Sequence, residues 1–190
     1  MAVAMRLFAE KGFSGTTVGN IEGAAGLTPR GGGFYRHFRS KEDILNASVD
    51  AGIAFENHSR EAVNLLPFGD LRSELTLVCR WLLQLIDQQR DVFRVVEREA
   101  ERLPKLREKC RVQLFEAAHR AAVAFTQRWS EKTGHPSRDP EASAVIMIGA
   151  AMSYRRAQWT FGEAPLGVSD ERFVETWVQY CHDLMTGTST

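Results

Sequence analysis

Cysteine is scarce in this sequence, and its spacing does not indicate a cysteine-based site. The three cysteines, Cys79, Cys110 and Cys181, are widely separated, and none belongs to a CxxC or a mixed Cys/His pattern. Such spacing argues against a disulfide framework or a zinc site and favours reduced thiols in a cytosolic protein. Nothing near any of them marks a low thiol pKa, so a redox-sensing cysteine is the weaker alternative.

Long apolar runs are also absent. No stretch approaches the roughly 18 uncharged residues that a membrane span requires, and the N-terminus does not have the regions of a secretory signal. With 44% hydrophobic and 25% charged residues, the composition is that of a soluble globular chain. We therefore expect a cytoplasmic protein without a membrane partner.

No pattern of catalytic residues is found. The histidines are scattered, and there is no HExxH motif, no nucleophile elbow and no paired-carboxylate setting. They are His37, His58, His119, His135 and His182. We expect no enzyme activity, no metal and no cofactor.

Charge is balanced overall but unevenly distributed. The 24 Lys and Arg residues equal the 24 Asp and Glu residues. Between Thr17 and Lys41 the only acid is Glu22, against the bases Arg30, Arg36, Arg39 and Lys41, whereas acids outnumber bases from Glu141 onward. This asymmetry indicates that the N-terminal segment binds a polyanion and that the C-terminal part has a different function.

Apolar residues recur at helical spacing along nearly the whole chain, and this pattern predicts an all-α fold. We expect an N-terminal head of three helices, residues 1–45, joined by a long helix that begins at Ser40 to a C-terminal helical bundle, residues 46–190. Helices are expected at roughly 70–88, 91–102, 105–132, 140–161 and 170–185, separated by Pro and Gly.

The head has the outline of a helix-turn-helix. The first helix should end at about Lys11 with Gly12 as a left-handed cap and Phe13 folded back on Phe8. Thr16 or Thr17 can cap a second helix that stops at Gly26. Thr28, followed by Pro29, can cap the start of a third helix that continues through Phe34 and Tyr35.

Three consecutive glycines, Gly31 to Gly33, precede the aromatic pair. A phosphate-binding loop would need a preceding strand and a following Gly-Lys-Ser/Thr, and a dinucleotide fingerprint would need a βαβ unit, so both are disfavoured. Glycines weaken the front of a helix but let its backbone approach DNA closely, and they allow ordering on binding.

Hydroxyl, aromatic and basic side chains around this third helix could contact DNA. They are Thr17, Thr28, Arg30, Tyr35, His37 and Lys41. The alternative makes Tyr35 a core residue, Thr28 only a cap and Arg30 a solvated side chain. We prefer the core for Phe34 and Phe38, and DNA for Arg30, Tyr35 and Lys41.

The segment "LFAEKGFSGTTVGNIEGAAGLT…FYRHFRSKEDIL" closely resembles the head of the tetracycline-repressor-like (TetR) family of transcriptional regulators. Its elements LFxxxG, TTV, AAGLT, YRHF and SKE occur in order over about residues 4–45. Two departures from the family pattern are visible: five residues rather than about three follow Thr28, and the usual basic arm does not precede Met1. Either the arm is absent, or the natural start lies upstream.

This resemblance implies a homodimer whose two heads bind a palindromic double-stranded DNA operator and whose helical C-terminal domain binds a small-molecule effector. It makes the matching positions phosphate or groove contacts: Thr17, Thr28, Tyr35, His37 and Lys41. Arg30 becomes the candidate for pairing with guanine, and Gly31 for close backbone approach.

Apolar and aromatic residues in the larger part could line an effector cavity, although residues of this kind are usually core. The candidates are Trp81, Phe93, Phe115, His119 and Met147. By the same resemblance, the last two helices pair with those of a second copy, and the run "AVIMIGAAM" suits close packing there. An ordinary monomer core would show the same pattern.

These observations predict a ligand-responsive, DNA-binding transcriptional regulator, and specifically a repressor released by a largely apolar effector. The alternative is a helical small-molecule-binding protein whose head does not bind DNA. A small helical enzyme is the least supported reading.

Overall fold

The computed structural model describes residues 1–28, 32–64 and 69–187. Within these ranges the regular structure is helical and contains no strand, so the predicted all-α fold is confirmed. None of the helices described is long and apolar enough to cross a membrane.

The helix bounds follow the sequence pattern closely. The α-helices are α1 (Ala2–Gly15), α2 (Val18–Ala24), α3 (Lys41–Asn64), α4 (Leu71–Gln88), α5 (Arg90–Glu99), α6 (Pro104–Cys110), α7 (Ala117–Thr133), α8 (Pro140–Phe161) and α9 (Asp170–Thr186). A π-helical stretch, Arg111–Glu116, makes α6 and α7 continuous. The helices predicted beyond residue 70 are therefore confirmed within a few residues at each end.

The chain divides into two compact units. The first, called the head unit, comprises Met1–Ser59 and Gln88–Leu114, and the second, called the bundle unit, comprises Arg60–Asp87 and Phe115–Thr190. The head unit therefore includes α5 and α6 besides the N-terminal helices. The functional division at residues 1–45 and 46–190 stays a prediction.

The head unit is built around α1. Phe8, Leu45, Val49 and Val95 are fully or almost fully buried in its core, and α1 packs extensively on α5. Burying an aliphatic or aromatic side chain contributes about 1.5–3 kcal/mol, so α5 contributes substantially to the stability of this core.

The first helix breaks at Gly12, as predicted, but not with the predicted cap. Gly12 has φ 76° and ψ 166°, a positive-φ conformation that is essentially restricted to glycine and differs in ψ from the left-handed helical cap. The chain therefore continues in one more helical turn to Gly15. Phe13 nevertheless returns to Phe8, with ring centroids 5.6 Å apart, so the predicted contact is confirmed.

The two threonines after this break have different roles. Thr16 is fully buried, and its hydroxyl donates to the carbonyls of Gly12 and Leu7. Thr17 is the N-cap of α2: its Oγ1 accepts from Asn20 N, while Asn20 Oδ1 accepts from Thr17 N. Thr17 therefore fixes the start of α2 and Thr16 holds it to α1.

The third helix is not continuous from Thr28, and this expectation is wrong. Gly32 has φ 75°, which a right-handed helix does not allow. In the part of the head that is described, a 3₁₀ turn, Phe34–Arg36, stands before α3 instead. The consecutive glycines explain the difference, because each costs about 1 kcal/mol in a helix relative to alanine.

The bundle unit has a second core. Trp129, Tyr154, Trp177 and Met185 are buried there, and α7 packs on α8 and α9. Trp177 Nε1 donates to the Met147 carbonyl at 2.9 Å, so even the indole nitrogen is satisfied inside this core.

An ion-pair network ties three helices of the bundle unit. The Arg155 guanidinium, only 8% exposed, donates to both carboxylate oxygens of Asp170 at 2.7 and 2.8 Å and lies 3.1 Å from Asp87. Tyr154 also donates its hydroxyl to Asp170. These contacts from the guanidinium and the hydroxyl lower the pKa of Asp170 to about 2.

The three cysteines are buried and unbridged. Burial raises the thiol pKa of Cys79 and Cys181 to about 12 and that of Cys110 to about 11. These thiols stay protonated at neutral pH, and the structure supports packing roles for them.

Candidate functional sites

Four of the predicted DNA contacts, Thr28 among them, are exposed on the head unit. Tyr35 is 64% exposed, edge-on to the buried Phe34 ring with centroids 5.3 Å apart. His37 and Thr17 are also exposed. The alternative that places Tyr35 in the core is wrong, whereas the expected burial of Phe34 is confirmed.

Glu22 supports the turn that carries Tyr35. This side chain is 2% exposed, and its Oε1 accepts from Phe34 N at 3.3 Å. The Leu27 N–H also donates to the Glu22 carbonyl, with Gly26 at φ 72° between them. The one acid of the basic segment therefore acts inside the head, and the exposed side chains nearby remain predominantly basic.

Lys41 points back toward the end of α1. Its Nζ donates to the carbonyls of Phe13 at 2.5 Å and Thr16 at 2.8 Å, and it lies 4.4 Å from the centre of the Phe13 ring. Two of the three ammonium hydrogens are thus used within the head. One donor is left for the predicted phosphate contact.

The remaining predicted DNA contacts are Thr28, Arg30 and Gly31, which are close together in the sequence. Thr28 is exposed, whereas Arg30 and Gly31 lie outside the described residues. Ser40 caps α3 by accepting from Asp43 N, and the Asp43 carboxylate accepts from Arg39 N. This cap fixes where α3 leaves the head.

Three side chains of and after α5 hold the end of α1, and periodicity alone did not reveal them. Glu99 is 4% exposed and accepts from Phe13 N at 3.0 Å. Arg98 donates to the Glu10 carbonyl at 3.2 Å, and Arg102 lies 3.4 Å from Ser14 Oγ. One feature of the sequence could have indicated that Glu99 is buried. Val92, Val95 and Glu99 share one helical face, so a charged residue lies in an apolar stripe.

The bundle unit contains an apolar cavity with about 790 Å³ of space free of protein atoms, its mouth included. Its lining includes Trp81, Leu85, Phe125 and Met147, together with the charged residues Arg60, Glu74 and Arg128.

The cavity brings together only some of the predicted ligand contacts. Trp81 and Met147 are in the lining, whereas Phe93, Phe115 and His119 are not. Phe93 belongs to the head unit. Phe115 is 49% exposed and stacks on His119, whose Nδ1 is 2.7 Å from the Phe115 carbonyl oxygen. That pair forms a local contact of its own.

The polar wall residues of the cavity were not predicted. Glu74 Oε2 accepts from Arg128 and from Trp129 Nε1, both at 2.9 Å. The signal was again a charge within an apolar stripe, since Glu74 lies between Leu71 and Val78 on one face of α4. In the ranges that the structure covers, no group of three or more His, Cys, Asp or Glu side chains could hold a metal ion.

A short capped helix followed by an exposed aromatic-basic turn is typical of a helix-turn-helix head. Residues 1–48 match the profile of the family described as bacterial regulatory proteins, tetR family. This N-terminal segment is therefore similar to the DNA-binding head of TetR-family transcriptional regulators.

Solved structures have the same fold over nearly the whole chain. A TetR-family regulator of Mesorhizobium loti matches with a TM-score of 0.74 at 20% identity, covering 98% of this chain and 93% of its own. A candidate fatty acid metabolism regulator of Clostridium perfringens matches at 0.72 and 18% identity, covering 100% and 97%.

A third, a TetR-family regulator of Syntrophomonas wolfei, matches at 0.64 and 18% identity, covering 100% of this chain and 94% of its own. Identities this low establish the fold alone. No curated protein sequence matches this chain significantly.

Proposed function

We propose that this chain is a TetR-family transcriptional regulator: a cytoplasmic, homodimeric repressor that leaves a palindromic operator when a small, largely apolar effector enters the cavity of its bundle unit. The observation that carries the proposal is the run of α3. This helix begins at Lys41, beside the candidate DNA contacts, and reaches Arg60, which lines the cavity.

The head binds DNA in this proposal through the residues predicted from the sequence. Thr17, Thr28, Tyr35, His37 and Lys41 contact phosphates or the groove wall, and Gly31 allows close approach of the backbone. Support comes from the exposure of Tyr35 and His37 and from the burial of Glu22, the segment's one acid.

Arg30 reads a guanine in each half-site in this proposal, because arginine pairs bidentately with the guanine edge in the major groove. Replacing it with alanine should lower operator affinity by about tenfold or more and relax the base preference at that position. Unchanged affinity and unchanged base preference would refute this role.

Effector binding would act by shifting a population between two dimer states. In the proposal, the ligand displaces α3 near Arg60, and the start of α3 at Lys41 changes the separation of the two heads. Such a switch operates only to the extent that the ligand binds the two states unequally.

Homodimerisation is proposed to use α8 and α9. Five large apolar side chains on these helices are exposed, at 45–77%: Val145, Ile146, Phe161, Tyr180 and Leu184. Ile146→Glu should convert a dimer of about twice 21.3 kDa into a monomer, measured by sedimentation equilibrium. A variant that stays dimeric would place the interface elsewhere.

The DNA-binding step is tested by fluorescence anisotropy on DNA from upstream of the protein's own gene. If four cationic groups of a dimer contact phosphates, affinity should fall about a hundredfold between 50 and 200 mM salt. Tyr35→Phe should weaken binding, because it removes the exposed hydroxyl that is proposed to contact DNA. Absence of salt-dependent binding would favour a small-molecule-binding protein with an inactive head.

A further inference from the structure

One carboxylate oxygen in the cavity wall has no hydrogen-bond donor within the described ranges of the chain. Glu74 is 4% exposed, and both of its hydrogen-bond donors, Arg128 and Trp129, serve Oε2. Its Oε1 is also buried but accepts no hydrogen bond from any residue that the structure describes. Because a buried acceptor without a donor is unfavourable, a ligand that supplies one gains affinity from this atom.

The charges of the lining limit what kind of donor fits. The Glu74 carboxylate already pairs with the Arg128 guanidinium, 2.9 Å away. The Arg128 guanidinium also lies 5.1 Å from the centre of the Phe125 ring, so a cation of the protein already occupies that aromatic surface. A cationic ligand would approach Glu74 beside the positive charge of Arg128, which repels it.

An anionic ligand is no better matched. It would compete with Glu74 for Arg128 and would approach the unpartnered Oε1, which repels it. A neutral hydroxyl or N–H avoids both costs. Arg128 Nε is likewise buried without a hydrogen-bond partner, and a hydroxyl oxygen can accept from such a group.

We propose that the cavity selects an uncharged, mainly aromatic or aliphatic molecule with one hydroxyl or N–H group that donates to Glu74 Oε1. Trp81, Leu85 and Phe125 would contact the apolar body of this ligand. Calling the ligand the effector depends on the proposed function, whereas its binding chemistry does not.

Four naphthalene derivatives test this selectivity in the full chain by isothermal titration calorimetry: 1-naphthol, 1-methoxynaphthalene, 1-naphthoate and 1-naphthylmethylammonium. They share one apolar body and differ in the polar group. We expect 1-naphthol to bind about tenfold or more tightly than the methyl ether, since a hydrogen bond to a charged acceptor is worth at least that factor.

Glu74→Gln tests the role of the carboxylate directly. The substitution replaces the charged acceptor with an uncharged amide, which itself carries an N–H donor. The ratio of naphthol to methyl ether affinity should fall to about one or below. Leu77→Ala is the matched control: Leu77 lines the same cavity without a polar group, so both affinities should fall together and their ratio should persist. Circular dichroism and thermal melting check that both variants fold.

Equal binding of the alcohol and its ether by the unaltered chain would overturn the proposal, whatever the variants do. Tightest binding of the ammonium or the naphthoate would also overturn it, as would no binding of any of the four. DNA binding is measured separately, without ligand. A chain that selects 1-naphthol but does not bind DNA refutes the proposed function and leaves this inference standing.

Discussion

The head unit and the bundle unit use buried polar side chains in different ways. In the head unit, Thr16, Glu22, Lys41 and Glu99 bind backbone groups at the ends of short helices. In the bundle unit, Glu74 binds Arg128 and Trp129, and Arg155 binds Asp170, so the long helices are joined mainly through side chains.

Helix length explains this difference. Each helix end leaves backbone N–H and C=O groups without intrahelical partners, and short helices consist largely of such ends. In the head unit, the buried polar side chains therefore form hydrogen bonds with backbone groups at these helix ends. The bundle satisfies most of its backbone inside long helices, which leaves side chains, and notably Glu74 Oε1, available to a ligand.

The largest effect is expected from Arg155→Ala in the bundle unit. Removing the guanidinium leaves the Asp170 and Asp87 carboxylates without their shared partner, which should cost about 3 kcal/mol in the free energy of unfolding. Both carboxylates are partly exposed, which keeps the loss at the low end of the range for buried pairs. Urea denaturation measures it, with Arg156→Ala, on the exposed neighbouring position, as the control.

Glu99→Ala should produce the next largest effect, in the head unit. It leaves the Phe13 N–H without its acceptor, at a cost of about 2 kcal/mol. DNA affinity should fall as well, because the end of α1 positions α2. The exposed Glu101→Ala is the control, and equal losses in the two variants would show that the Phe13 contact contributes nothing.

The response to acid distinguishes the units further. Because the folded-state pKa of Asp170 is lowered to about 2, its stabilisation is present above the ordinary value of 3.8 and is lost as pH falls from there toward 2. The difference in melting temperature between the wild type and Asp170→Asn should shrink over that interval. A difference independent of pH would contradict the Arg155–Asp170 interaction.

The smallest effects concern the glycines of the head. Gly32 has φ 75°, so Gly32→Ala should destabilise the chain by about 1 kcal/mol. Gly33 has φ −60° and ψ −38°, and an added Cβ would meet Leu27 at an ordinary 3.5 Å, so Gly33→Ala should be neutral or stabilising by up to about 1 kcal/mol. Thermal melting compares them, and equal shifts would contradict the assigned conformations.

The sequence predicted most of the helices because their information is local. Helical periodicity, Gly12, and the Pro and Gly residues between helices were enough to place α8 at 140–161 as observed. The third helix was predicted wrongly because the cap at Thr28 and Pro29 was given more weight than the low helix propensity of the glycines.

The candidate sites were less predictable, because their polar contacts join distant parts of the chain. Phe13 and Glu99 are 86 residues apart, and Glu74 and Arg128 are 54 apart. Periodicity can place a charge on an apolar face but cannot name its partner. Periodicity also does not show which apolar side chains face a cavity. Of the five predicted ligand contacts, Trp81 and Met147 line the cavity, and Phe93, Phe115 and His119 do not.

The most direct test of the central claim is reciprocal coupling between the cavity and the head. The dissociation constant of 1-naphthol is measured by titration calorimetry with and without saturating DNA from upstream of the gene. Because linkage is reciprocal, a ligand that releases DNA must itself bind more weakly when DNA is bound. The proposed mechanism predicts an affinity lowered about fivefold or more by DNA, and an identical dissociation constant in both titrations would contradict it.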